Sequence, residues 1–195
     1  MNISAVSRMA NSDVKEKILN VLSKTEKTKK VYVFISSSND YKGVNKEILT
    51  YFNVKKKYPG IYVSLNKDYE ELVSDLEDMK INTKNIFFII CSKDNKKIEK
   101  DNCIYIQGPE SLTELSLVMT NTTNMGGFKY LFFDSLSTLL IYNDLKTSQK
   151  FSTYIINKLK EKEILGLLTS LNDQDAKKLT SAIIPLCDEC FDISQ

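Results

Sequence analysis

The stretch FISSSNDYKGVN, residues 34–45, sets three serines, an aspartate and one lysine in a polar turn between an apolar run and a helix-like segment. This is the layout of a phosphate-binding loop. In the pattern GxxxxGK[ST], glycines let backbone N–H groups wrap the phosphates, the lysine reaches the terminal phosphates and a hydroxyl holds magnesium. With Lys42 on the pattern's lysine, Ser36 falls on the first glycine, Tyr41 on the second, and Gly43 where the hydroxyl belongs. Ser37, Ser38, Asn39 and Asp40 fill the loop between them. Tyr41 brings a Cβ and a ring to where backbone should approach phosphate, in a conformation expected to be costly for anything but glycine. Gly43 supplies no hydroxyl and weakens the first turn of the following helix. The expectation is a degenerate loop. Lys42, Ser37, Ser38 and Lys46 leave open a grip on phosphate made by side chains alone.

A second group of reactive residues is the four cysteines, of which Cys187 and Cys190 share a metal-like or redox-like spacing in LCDECFDI. A zinc site would need Cys91 and Cys103 brought beside them, and a redox pair normally opens a helix after a strand. Reduced thiols packed in or near a core are the expected reading, with metal binding at Cys187 and Cys190 left open.

Composition removes several chemistries. The chain has no histidine, so histidine acid–base catalysis and histidine metal sites are excluded. Arg8 is the only arginine among 27 basic residues, and lysine lacks the planar fork that an arginine finger uses. The net charge of +2 argues against a surface built to neutralise many phosphates, and the lysine runs 55–57 and 93–100 read as solvated surface. No apolar run approaches the roughly 20 residues of a membrane helix, and the first residues lack the order of a secretion signal, so a cytoplasmic protein is expected.

The elements that must position these residues alternate between two periods. Residues 12–26 put Val14, Ile18, Val21 and Leu22 on one helical face, and strand 31–35 follows. A helix carrying Val44, Ile48, Leu49 and Phe52 ends before Tyr58-Pro59-Gly60. Strand 60–66 leads to a helix with Asp68 and Glu71 as a capping box, and strands 85–92 and 103–107 come next. Ser111 and Glu114 suggest a second capping box for a helix that stops before 120–127. An apolar strand then ends in Asp134 with hydroxyls immediately after it, followed by helix 148–162, strand 164–170, helix 175–184 and a terminal edge strand. Continuously apolar strands separated by amphipathic helices imply an α/β three-layer sandwich with a mostly parallel sheet. One domain over residues 29–195 is expected, preceded by a helical extension over 1–28, and the terminal strand is expected to form an antiparallel edge.

This order of elements, with KYLFFDSLSTLL as a major strand, resembles the RecA-like P-loop ATPase superfamily, in particular its KaiC and RadA-like archaeal branch. The resemblance covers nearly all of the chain after residue 28. Its most specific piece is the Walker B-like segment in which Lys129 to Phe133 deliver Asp134, then Ser135, Leu136 and Ser137; IYVSLNKDYEEL, INKLKEKEILGLLTS and LCDECFDIS support it. The resemblance implies that Asp134 holds Mg when ATP binds, since hard magnesium prefers oxygen ligands and strand carboxyl ends converge on the ligand crevice. The alternative is an Asp that caps the next helix through Ser135 to Ser137. It further implies a γ-phosphate sensor at Thr169 or Ser170, although such hydroxyls also serve as strand-end caps. The residue that orients attacking water falls near Asn66, whose amide cannot act as a base at neutral pH.

Three functions follow as expectations. The first is a non-hydrolysing RecA/KaiC-like domain, ATP binding weak or lost, that acts as a regulatory or scaffolding partner of itself or of an active paralogue; no catalytic residue and no cofactor belong to it. The second is a weak ATP-binding switch or ATPase using Lys42 and Asp134, with ATP and Mg as cofactors. The third, least favoured by charge and composition, is a nucleic-acid-binding relative using the lysine runs. No membrane partner is expected.

Overall fold

The computed structural model describes residues 15–23, 30–92 and 100–194. Seven strands, β1 (Val31–Ser36), β2 (Gly60–Ser64), β3 (Ile86–Ser92), β4 (Cys103–Gln107), β5 (Tyr130–Asp134), β6 (Leu165–Leu171) and β7 (Glu189–Asp192), form one sheet in the order β4-β3-β2-β5-β6-β1-β7. Every strand pairing is parallel. The helices are α1 over residues 15–22, then α2 (Tyr41–Leu49), α3 (Tyr69–Asp78), α4 (Leu112–Met125), α5 (Leu136–Tyr142), α6 (Leu145–Glu161) and α7 (Gln174–Ile183). A π-helical stretch, Thr50–Lys55, prolongs α2.

Period-2 alternation divides the strand residues between two cores, which is what makes three layers. Tyr32, Phe34, Tyr62, Phe88, Tyr130, Phe132 and Leu167 pack with Ile18 and Leu22 of α1, Ile48 of α2 and Leu72 and Leu76 of α3. Val31, Val33, Ile61, Val63, Leu131, Phe133 and Leu168 pack with Leu115 of α4, Leu139 of α5, Ile155 of α6 and Leu179 of α7. The α1 residues Ile18 and Leu22 are fully buried, so this helix covers the chain's own sheet. Residues 12–14 and 24–26 of the expected helix lie outside the described residues.

The edge expected to be antiparallel is parallel. Strand β7 runs alongside β1 with Tyr32 opposite Glu189 and Ile35 opposite Asp192. The reason is the connection: α7 returns the chain to the amino end of the sheet before β7 begins, and a helical crossover joins parallel strands. Asp188 fixes the entry, its Oδ2 accepting from the Val31 N–H at 2.8 Å and pairing with Lys160 of α6 at 3.2 Å. Helix α4 also departs from expectation, running through Thr120 to Met125 instead of stopping before them. Thr120 and Thr123 bond back to the Ser116 and Thr120 carbonyls, Thr122 is buried with its Oγ1 unpaired among the described residues, and Gly126 and Gly127 at φ +76° and +84° end the helix. Asp68 and Ser111 do occupy N-cap positions, but neither side chain makes a capping bond, so the two capping boxes do not form.

The topology locates a crevice. From β2 the chain moves through α3 to β3 on one side, and from the neighbouring β5 it moves through α5 and α6 to β6 on the other. Connections diverging from adjacent parallel strands open a gap at the strands' carboxyl ends, where ligands of such sheets bind. Asp134 ends β5 directly opposite Ser64, which ends β2.

Candidate functional site

Strand alternation decides which expected residues meet. Tyr62, Asp134 and Thr169 share the parity of the strand residues that face α2 and α3, whereas Ser170 shares the parity of Leu168 on the other face. Above them, α2 begins at Tyr41 and drops that side chain onto the sheet. The Tyr41 hydroxyl donates to Asp134 Oδ1 and lies 3.1 Å from Thr169 Oγ1. The Tyr62 hydroxyl donates to Asp134 Oδ2 at 2.5 Å. Thr169 Oγ1 in turn donates to the Phe133 carbonyl at 3.0 Å. Both carboxylate oxygens are thus taken by phenols, and Asp134 is 5% exposed.

The loop that leads to Tyr41 has closed on itself. The Asp40 and Tyr41 N–H groups donate to the Ser37 carbonyl at 3.2 and 3.0 Å, and the Ser37 hydroxyl donates to Asp40 Oδ2 at 2.6 Å. Two amides that a phosphate would need therefore bond inside the turn, and a carboxylate stands at the helix N-terminus, where an anion would otherwise be favoured. The backbone strain expected at Tyr41 is absent: no residue of the loop takes a positive φ. A turn that does not wrap an anion has no need of glycine. Ser38 and Asn39 are exposed at its tip, Ser36 is buried beneath it, and the Ser36 carbonyl accepts from the Asn172 N–H at 2.9 Å. Lys42 and Lys46 are exposed, and Gly43 lies within α2.

Electrostatics follow from burial. Desolvation raises the Asp134 carboxyl above its ordinary value; hydrogen bonds from the two tyrosines and the charge of Lys67 oppose the rise without cancelling it. Burial and the adjacent Asp134 push both Tyr41 and Tyr62 well above the usual phenol range, so both stay protonated and keep donating. Lys67, after β2, pairs with Asp75 of α3, and this hydrogen bond and charge hold the Asp75 carboxyl below its ordinary value. These residues do not fit a magnesium–phosphate site: each oxygen of the buried carboxylate that would ligate the ion is engaged by a tyrosine hydroxyl, and Gly43 has no side-chain oxygen to add.

The remaining expected residues fall into structural roles. Ser135 Oγ caps α5 through the Thr138 N–H at 3.3 Å and lies 2.9 Å from both Ser137 Oγ and Thr138 Oγ1, so the cap belongs to Ser135 and not to Asp134. Ser170 Oγ donates to the Leu171 carbonyl at 3.3 Å, apart from the cluster. Asn66 is exposed beside the crevice. Cys187 donates to the Ile183 carbonyl and burial pushes its thiol up to about 12; all four cysteines are free. Among the described residues no group of three or more Cys, Asp or Glu side chains is arranged to hold a metal ion. Residues 93–99 of the second lysine run lie outside the described residues. Lys55 and Lys57 are exposed, and Lys56 sits 5.4 Å from the Tyr51 ring centre.

Two contributors were not singled out from the sequence. Tyr62 stands in an apolar strand, and a buried phenol must find a partner, which is the signal that could have flagged it. Asn45 interrupts the apolar face of α2; it is 7% exposed and its Oδ1 has no hydrogen-bond partner among the described residues. A buried amide oxygen left unpaired costs about 1–3 kcal/mol.

No protein-family model matches the chain, and no curated protein matches it. The fold is an α/β architecture with a seven-stranded parallel sheet, compatible with a Rossmann-like or P-loop type. No helix among the described residues is long and apolar enough to cross a membrane.

Proposed function

We propose that the chain is a non-hydrolysing P-loop-type domain, related to the RecA/KaiC-like ATPases, in which an internal plug has replaced the nucleotide's phosphates and metal. The observation that carries this reading is the Tyr41 hydroxyl bonded to Asp134: the residue aligned with the pattern's second glycine engages the strand-end carboxylate that would otherwise be offered to an ion. Support comes from the sheet, where the loop strand β1 and the Asp134 strand β5 deliver their ends to one crevice with only β6 between them. Further support is the Ser37–Asp40 turn, which uses backbone amides internally.

With triphosphate excluded on this reading, we assign the domain a regulatory or scaffolding role with copies of itself or an active paralogue. Five of the seven large apolar side chains exposed among the described residues, Leu117, Met125, Ile141, Tyr142 and Tyr154, lie on α4, α5 and α6 of one layer, which supports such a role. Light scattering with and without magnesium and ATP tests it. The expected result is the same assembly mass in both conditions and no phosphate release. Assembly that forms only with MgATP, or turnover lost in Asp134→Ala, would return the reading of a nucleotide switch.

A further inference from the structure

Beside the plug, a cleft of about 210 Å³ opens between α2 and α3. Helix α2 lines it with Lys42, Asn45 and Leu49, spaced i, i+3, i+7 along one stripe, and α3 faces them with Leu72, Asp75 and Leu76. Leu49, Leu72 and Leu76 are at most 2% exposed and belong to the packed core, so the cleft has a fixed apolar floor. Its polar groups are unevenly satisfied. Asp75 is paired with Lys67, and both oxygens of Asp134 are held by tyrosines. Lys42 makes no ion pair among the described residues. Asn45, more than nine-tenths buried, keeps Oδ1 unpartnered.

We propose that this cleft binds a small organic carboxylate with an apolar body and a hydrogen-bond donor. The body packs on Leu49, Leu72 and Leu76, the donor satisfies Asn45, and the carboxylate meets Lys42. A negative charge is selected because the carboxylates of the cleft already have hydrogen-bonded partners, whereas its exposed Lys42 makes no ion pair among the described residues. Of the two lysines that line the cleft, Lys67 is held by Asp75, and the one left beside that carboxylate favours a single charge over the two of a phosphate monoester. The volume lies below the range of about 300–1,000 Å³ typical of pockets for drug-sized ligands, so the fitting molecule is fragment-sized and is not a nucleotide. The cleft is independent of the regulatory reading, since the plug forms one end of it and stays in place.

The test uses the full chain and three probes: 4-hydroxyphenylacetate, its neutral amide 4-hydroxyphenylacetamide, and acetate, which lacks the body. Backbone amide shifts are followed by NMR in the wild type, Asn45→Leu and Lys42→Gln. Saturable shifts of α2 and α3 amides with 4-hydroxyphenylacetate in the millimolar range are expected, with none for acetate. Lys42→Gln should weaken carboxylate binding about tenfold and leave amide binding unchanged. Asn45→Leu should raise the melting temperature of the free protein and weaken both hydroxyphenyl probes. Absence of saturable shifts with either hydroxyphenyl probe, or binding that Lys42→Gln leaves intact, would overturn the proposal; Lys42 is exposed, so that variant folds even if Asn45→Leu does not.

Discussion

The Tyr41 hydroxyl donates to Asp134 Oδ1, tying the first residue of α2 to the last residue of β5 across a separation of 93 positions in the chain. The bond spans the crevice at the point where the turn of residues 36–43 and the strand-end carboxylate converge. Removing the hydroxyl leaves a buried carboxylate oxygen short of a donor. Tyr41→Phe should therefore cost about 1–3 kcal/mol of stability, and Tyr62→Phe a similar amount. Because both phenols serve one carboxylate, their effects should not add, and a double-mutant cycle by urea unfolding would show it. Strict additivity would mean that the two bonds are not coupled through Asp134.

Asp134 should also impose a distinctive pH dependence. Its folded carboxyl is raised above the ordinary 3.8, so the folded state holds this proton more tightly than the unfolded state does. The contribution is fully present below pH 3.8 and is lost as pH rises through the raised value. Asp75, lowered by Lys67, has the opposite sign: its contribution is present above 3.8 and fades as pH falls through the folded value. Unfolding free energies from acid to neutral pH should show the wild type losing stability relative to Asp134→Asn as pH rises, and losing it relative to Asp75→Asn as pH falls.

Much of this was legible in the sequence and some was not. The apolar runs of β1, β2, β3, β5 and β6 announced a parallel sheet because strands buried on both faces need no polar side. The same periodicity, carried one step further, separates Thr169 from Ser170, since adjacent strand residues face opposite layers. The direction of β7 was hidden because four residues of edge strand carry no signal of direction; only the α7 crossover sets it. Tyr41 was readable as an obstacle to phosphate but not as a ligand of Asp134, because a contact spanning 93 positions depends on where α2 lands on the sheet.

Gly60 opens β2 under the ring of Tyr130, and a Cβ there would lie 2.1 Å from the ring's Cζ. Tyr130 is fully buried and cannot move aside. Gly60→Ala should destabilise the fold by roughly 3 kcal/mol, at the upper end of overpacking costs. Trimming the ring in Gly60→Ala/Tyr130→Leu should return part of that loss. No recovery in the double variant would place the cost in the backbone and not in the contact.

Burial pushes the thiols of Cys91, Cys103 and Cys187 up to about 12, leaving almost no thiolate near neutral pH. Iodoacetamide should label the native protein far more slowly than the urea-unfolded chain at the same pH. Fast labelling of Cys187 or Cys190 in the native state would instead mark that pair as reactive.

The most direct measurement is a calorimetric titration with ATP, with and without magnesium, of the wild type and of Tyr41→Gly. No heat for the wild type up to millimolar nucleotide is predicted, together with measurable magnesium-dependent binding when the plug is removed. Micromolar binding by the wild type that Asp134→Ala weakens would contradict the account, because the Tyr41–Asp134 bond could not then be the resting state of a closed site.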